Sequence, residues 1–171
     1  MSNPVLSTER LILRRMTEDD IEILMEIFSD PEAMKYYPST KNEQQASEWV
    51  DWTLRNYDTY ETGLWIVEDK ATGDFLGQCG IVPQELEDVI EMEIGYLFAR
   101  RAWGNGYATE AALACKKYGF EQLGLSKLIS FVDINNTPSA KVAERIGMTV
   151  EKMIHKWEKE ILVYAVFLKK E

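Results

Sequence analysis

The chain is short of several things, and each shortage closes off a class of protein. Among 171 residues there is one histidine, His155, and two cysteines, Cys79 and Cys115. Neither residue type recurs at metal-ligand spacing, so no metal centre is expected. The cysteines fall in an apparent strand and an apparent helix. They read as reduced core thiols of a cytoplasmic protein, with a disulfide left open but not required. No apolar run approaches the ~20 residues that span a bilayer, and the first ten residues lack the basic-then-apolar order of a secretion signal. Positive charge is scarce as well. Nineteen Lys and Arg face 29 Asp and Glu, a net charge of −10. That balance argues against a nucleic-acid partner and is compatible with cationic partners such as amines.

What is present is ordinary for a globular domain: 46% hydrophobic and 28% charged residues. The length suits one domain over residues 1–171, with enough chain to bury a full core. No repeat, linker or low-complexity tract interrupts it. A first strand begins in Glu9–Arg15. Thr17 caps a helix with acids in its first turn and Ile21, Leu24, Met25 and Phe28 as its apolar stripe. Asp30-Pro31 breaks that helix, and an aromatic connection, Met34 to Pro38, follows. A second helix runs from about Asn42 to Tyr60. Leu64–Glu68 and Phe75–Val82 form a hairpin around a turn-rich segment. Pro83 to Asp88 reads as a polar connection. Further on, Leu128–Asp133 is a strand, Thr137-Pro138 starts a helix that Gly147 stops, and strands near Val150–His155 and Ile161–Leu168 close the chain. The order, β-α-α-β-β-β-α-β-α-β-β, is that of a mixed α/β domain.

The stretch from Glu91 to Phe120 organises the rest. Met92, Ile94 and Tyr96 alternate with Glu91, Glu93 and Gly95, the period of a pleated strand. Ala108, Ala111, Ala112, Cys115 and Tyr118 make one helical stripe. Between them lies Arg101-x-x-Gly104-x-Gly106. Glycines let this backbone turn tightly and approach a ligand closely. The helix that opens there adds unpaired amides and the positive end of its dipole, a combination suited to phosphate.

With these elements in place, the sequence resembles the GNAT superfamily of acetyl-CoA-dependent N-acetyltransferases over nearly its whole length. Its phosphate loop matches the family pattern at Arg101, Gly104 and Gly106. Within the superfamily it is most similar to the RimJ/RimL branch, through Glu9-Arg-Leu-Ile-Leu-Arg14, Glu93-Ile-Gly-Tyr96, the run Trp103 to Ala111 and Asn136-Thr-Pro-Ser139. The resemblance implies a mixed α/β, three-layer-like fold whose central sheet splays between the Glu91–Ala99 and Leu128–Asp133 strands. It implies acetyl-CoA as co-substrate in that split, with no metal. The pyrophosphate is expected on the amides of residues 101–106, including Asn105, and on the helix start at Ala108. The pantetheine arm is expected along Leu97, Phe98 and Ala99.

The resemblance also assigns roles. Glu93 matches the family's strand carboxylate and is the first candidate for general base; Glu91, two residues earlier on the same face, is the fallback, and a water is the third option. Ser139 is the candidate proton donor to the departing sulfur, the alternative being a hydroxyl bound to its own helix end. The tyrosine that many relatives use is replaced by Ala143. Asn136 is expected on the pantetheine arm or, alternatively, as a turn residue. Arg101 is expected to favour the phosphates, Arg100 to reach the adenosine phosphate or face solvent, Trp103 to pack in the loop, and His155 to be an exposed strand residue.

Transfer is expected to be direct, with the oxyanion held by amides of a bulged strand and no acyl-enzyme, since neither cysteine matches a nucleophile position. The expected partner is an amine substrate, either a protein N-terminus or a small molecule. Aromatic and acidic residues in Met34–Pro38, Trp49–Tyr60 and Pro83–Asp88 point to a cationic one. A homodimer is consistent with the resemblance. Two rival readings remain. One is a catalytically silent acyl-CoA-binding regulator, motivated by Ala143. The other is a nucleotide-phosphate enzyme, disfavoured because the loop lacks the endings of both common nucleotide motifs.

Overall fold

Alternating apolar residues pair into one mixed sheet with helices on both faces; the computed structural model describes residues 4–169. In chain order the elements are β1 (Pro4–Ser7), β2 (Leu11–Arg15), α1 (Ile21–Phe28), α2 (Glu43–Tyr60), β3 (Leu64–Asp69), β4 (Phe75–Leu86), β5 (Val89–Phe98), α3 (Tyr107–Glu121), β6 (Lys127–Asp133), α4 (Thr137–Arg145), β7 (Thr149–Lys156) and β8 (Lys159–Phe167). The strands lie in the order β1-β2-β3-β4-β5-β6-β8-β7. Every neighbouring pair is antiparallel except β5 and β6, which α3 connects. A parallel pair needs a crossover of this kind.

Adjacent residues on β4 show how the layers are arranged, because successive side chains leave a strand on opposite faces. Gln78 meets Trp49 of α2, with Nε1 donating to Oε1 at 3.0 Å. Its neighbour Cys79 meets Cys115 of α3, with the two sulfurs 3.7 Å apart. So α2, with α1 packed on it, covers one face and α3, with α4 beside it, covers the other. Both cysteines are fully buried free thiols. Trp65, the largest fully buried side chain, sets its ring edge-on to Tyr118 of α3 at 5.1 Å.

The helix starts follow the expected chemistry. The Thr17 hydroxyl accepts from the Asp19 amide, and the Asp20 carboxylate accepts from the Thr17 amide, which closes the turn leading into α1. Asn42 and Gln45 exchange the same reciprocal bonds at α2. Of the stripe expected for α1, Leu24 and Phe28 are buried, and α2 buries Ala46, Val50, Thr53 and Tyr57.

Three expectations are corrected. A strand precedes the one expected in Glu9–Arg15: β1 folds back antiparallel on β2, with Thr8 accepting in the turn between them. Pro83 to Asp88 is not a connection, because β4 runs on to Leu86 and β5 begins at Val89. Pro83 is tolerated because the β3 partner ends at Gly80, so the edge where its missing N–H would lie is unpaired. Finally, β5 pairs with β4 from Leu86↔Val89 to Gly77↔Phe98 without a register shift, so it carries no bulge against β4.

Candidate active site

The one parallel joint in the sheet is also its weakest. β5 and β6 share a single register, Glu93↔Ile129, and then diverge. Two side chains bond across the split where the ladder ends. The Ser130 hydroxyl donates to the Ile94 carbonyl at 3.1 Å. Glu93 Oε2 accepts from the Phe131 amide at 2.6 Å. Beyond them the free edge of β5 borders a cleft of about 1360 Å³, whose walls include Leu97, Phe98, Gly104, Gly106, Ala108, Asn136 and Ser139.

At one end the cleft meets the start of α3. Gly104 and Gly106 have φ of +81° and +78°, which only glycine adopts without strain. A side chain built at Gly104 would meet nothing within 4 Å, and one at Gly106 would meet only Arg10 Nη2 at 3.6 Å. The space beside this backbone is therefore open to a ligand. Helix α3 carries no side-chain cap at Gly106, whereas α4 is capped by Asn136, whose Oδ1 accepts from the Ser139 amide at 3.2 Å. The first-turn amides of α3 thus stand at the cleft wall without intrahelical acceptors.

Arg100 faces solvent, one of its two expected places, and Arg101 is engaged within the fold. The Arg101 guanidinium binds Glu26 of α1 at 2.7 and 3.1 Å, Asp74 at 2.8 Å and the Phe75 carbonyl. Arg100 pairs with Asp30. Neither lines the cleft. The Arg101 side chain anchors the loop: Glu26, Asp74 and the Phe75 carbonyl supply the acceptors that its fork requires. Asn105 also acts within the loop, its Nδ2 donating to the carbonyls of Ala102 and Trp103 at 3.0 and 3.2 Å. Trp103, 47% exposed, donates its indole N–H to the Phe98 carbonyl and still forms part of the wall. The basic residues that do line the cleft include Lys141 and Arg145, one turn apart on α4. Sequence reasoning passed over them, although their i, i+4 spacing after Asn136-x-x-Ser139 was a readable signal.

The chemistry centre lies where the strands part. Glu93 is 8% exposed. Burial pushes its carboxyl up to about 7, against the opposing pull of the Phe131 amide, the Gln84 side chain and the Lys156 charge. A carboxyl poised there can exchange a proton near neutrality. Glu91, the fallback, does not line the cleft; it faces Lys127 at 3.5 Å, further from the split. Ser139 does not bind its own helix end. Its hydroxyl donates to the Tyr96 oxygen at 3.1 Å, while the Tyr96 hydroxyl donates to the Ser139 carbonyl at 2.8 Å. The carbonyl can only accept, so the direction of both bonds is settled. Burial pushes the Tyr96 phenol up to about 12, keeping it protonated. Tyr96 was legible only as part of a motif. That its hydroxyl reaches Ser139 of α4 is visible in the structure alone.

Tyr36, Tyr37 and Pro38 of the α1–α2 connection and Trp157 of the β7–β8 turn also line the cleft. Lys159 bonds the Tyr36 carbonyl at 2.8 Å and Asp133 at 3.1 Å. No Asp or Glu of the expected segments Met34–Pro38, Trp49–Tyr60 and Pro83–Asp88 lines the cleft. Of Pro83–Asp88 only Gln84 lines the cleft, and Glu87 pairs with Lys152. Four carboxylates (Glu32, Glu48, Glu93, Asp133) share the lining with five basic residues (Lys35, Lys41, Lys141, Arg145, Lys159). His155 is exposed on β7. Among the described residues no cluster of three His, Cys, Asp or Glu could hold a metal ion, and no helix is long and apolar enough to cross a membrane.

Comparison with known proteins agrees with this geometry. The family profile described as Acetyltransferase (GNAT) domain matches residues 10–149. YkkB of Bacillus subtilis, an uncharacterised protein, is 52% identical over 160 residues, covering 93% of each chain. The crystal structure of an acetyltransferase from Agrobacterium tumefaciens superposes with a TM-score of 0.86 at 32% identity, over 98% of this chain and 96% of that one. RimL, a ribosomal L7/L12 α-N-protein acetyltransferase solved in complex with coenzyme A, shares the fold with a TM-score of 0.80 at 14% identity, over 97% of this chain and 98% of that one. A domain match across most of the chain, with a relative of this identity and coverage, places the protein in the GNAT family of acetyltransferases.

Proposed function

We propose that this acetyltransferase moves the acetyl group of acetyl-CoA to a primary α-amine, of the protein N-terminal alanine type or on a small molecule, in the manner of the RimJ/RimL branch. The observation that carries the reading is Glu93: a buried carboxyl with a proton affinity near neutrality, at the split and on the cleft wall. The open faces of Gly104 and Gly106 and the uncapped α3 fit a diphosphate. The free edge of β5 at Leu97 and Phe98 fits an amide-rich arm, and Asn136, its Oδ1 in the α4 cap, keeps Nδ2 as a donor. Bound there, acetyl-CoA supplies an activated thioester carbonyl.

The residues divide the remaining work. Glu93, directly or through a water, takes the proton of the amine, and free β5 amides hold the developing oxyanion. A hydroxyl of the Ser139–Tyr96 pair, leaving its present acceptor, gives its proton to the departing sulfur and regains one from solvent. Magnitudes favour an α-amine. Its pKa of ~7.7–8 lies about one unit above Glu93, a cost of roughly 1 kcal/mol, whereas a lysine amine at ~10.4 costs roughly 4–5 kcal/mol.

The test incubates the protein with acetyl-CoA and three acceptors: an N-terminal alanine peptide, an N-blocked lysine peptide and a polyamine. Thiol release is the readout. Turnover greatest with the free α-amine is expected. Tight coenzyme binding without turnover on any amine would favour a silent acyl-CoA-binding regulator, the reading that Ala143 motivates.

A further inference from the structure

Glu93 does not sit alone at the split. Each of its oxygens accepts one hydrogen bond: Oε2 from the Phe131 amide of β6 at 2.6 Å, and Oε1 from Gln84 Nε2 of β4 at 2.9 Å. Gln84 pairs with Glu91 and Val82 with Glu93, so Gln84 and Glu93 are diagonal neighbours on one face, within reach of long side chains. A carboxylate only accepts, so the nitrogen of Gln84 must face it.

We propose that Gln84 is the positioning residue of the proton acceptor, orienting the Glu93 carboxylate at the cleft and stabilising its ionised form. This rests on the reading that Glu93 takes the proton of the amine. The backbone fixes one donor and Gln84 supplies the other, from opposite sides of the split, so turning the carboxylate away breaks one bond or both. An ionised carboxylate has about four acceptor positions; two remain for the incoming amine. Gln84 reaches this place because β4 continues beyond Gly80 as a long hairpin with β5. A short connection at Pro83–Asp88 would have left Oε1 of Glu93 without its donor. The other groups facing Glu93 are Tyr37 from the α1–α2 connection, Tyr96 on its own strand and Lys156 from β7. Among these neighbours Gln84 is the one whose side chain hydrogen-bonds the carboxylate.

The test reads Glu93 directly and needs no knowledge of the natural amine. Protein carrying carboxyl-labelled glutamate is titrated by carbon NMR, the Glu93 signal being assigned by its loss in Glu93→Gln. In Gln84→Leu the midpoint is expected to rise by roughly one to two pH units, since a hydrogen bond to a charged group has been removed. In acetyl transfer the acid limb of the kcat/KM profile moves upward with it, and the rate recovers at high pH. Gln84→Glu, which places a second carboxylate beside the first, raises the limb further. Gln84→Met and Gln84→Asn carry the same measurement should the leucine variant not fold. An unchanged midpoint, or a loss of rate equal at every pH, overturns the assignment. If the wild-type limb persists in Glu93→Gln, the proton-acceptor reading fails instead, while the titration still judges Gln84.

Discussion

Replacing Glu93 by glutamine should make the protein slower and, above neutral pH, more stable. Burial raises the carboxyl from an ordinary 4.5 to about 7, so the folded state binds a proton more tightly than the unfolded chain does. Stability of the wild type is therefore undiminished by this group below about pH 4.5, falls as pH rises toward 7, and is level beyond. At 1.36 kcal/mol per pH unit the accumulated loss is about 3 kcal/mol. Glutamine escapes it because it stays neutral. Its oxygen can accept from the Phe131 amide, and its nitrogen can donate to a Gln84 carboxamide that has turned over, which preserves both contacts. Urea denaturation of both proteins between about pH 4.5 and 8.5 measures the difference, other carboxylates cancelling in the comparison. The gap should grow with pH and saturate near 3 kcal/mol in favour of Gln. Activity should fall by roughly 10²–10⁴, with lysine-type acceptors affected more than α-amines. A gap that does not change with pH would refute the claim that Glu93 titrates while buried, and with it the choice of base.

Other substitutions separate the remaining roles. Gly106→Val puts a β-branched side chain at φ +78° on the cleft wall, so calorimetry should find acetyl-CoA binding lost; unchanged affinity would contradict the loop assignment. Tyr96→Phe and Ser139→Ala should each lower kcat roughly tenfold or more with little change in the KM for acetyl-CoA, and the double variant should be scarcely worse, because the two hydroxyls form one chain. Wild-type kcat in Tyr96→Phe would remove it from the reaction. Arg101→Ala breaks ion pairs whose side chains are nearly half exposed, so a Tm lower by a few degrees and an acetyl-CoA affinity within a few-fold of wild type are expected. A large affinity loss at constant Tm would put Arg101 on the diphosphate after all.

The periodicities, the caps and the strand–loop–helix unit are legible in the order of residues, because each rests on neighbours within a turn or a pleat. Met92, Ile94 and Tyr96 alternate whatever surrounds them, and Asn42 and Asn136 cap helices with bonds to amides three residues on. Two tight turns escaped that reading for an equally local reason. Glu87-Asp88 and Trp157-Glu158 have positive φ at both residues without the Asn or Gly that usually announces such a conformation. Which charges stay free and which are paired depends on contacts between distant parts of the chain. The fork of Arg101 is held by Glu26 and Asp74, 75 and 27 residues away in the chain. Glu93 acquires its proton affinity from burial at a split formed by strands β5 and β6. A side chain's identity is written in the chain, but its solvation and its partners exist only after the sheet has closed around it.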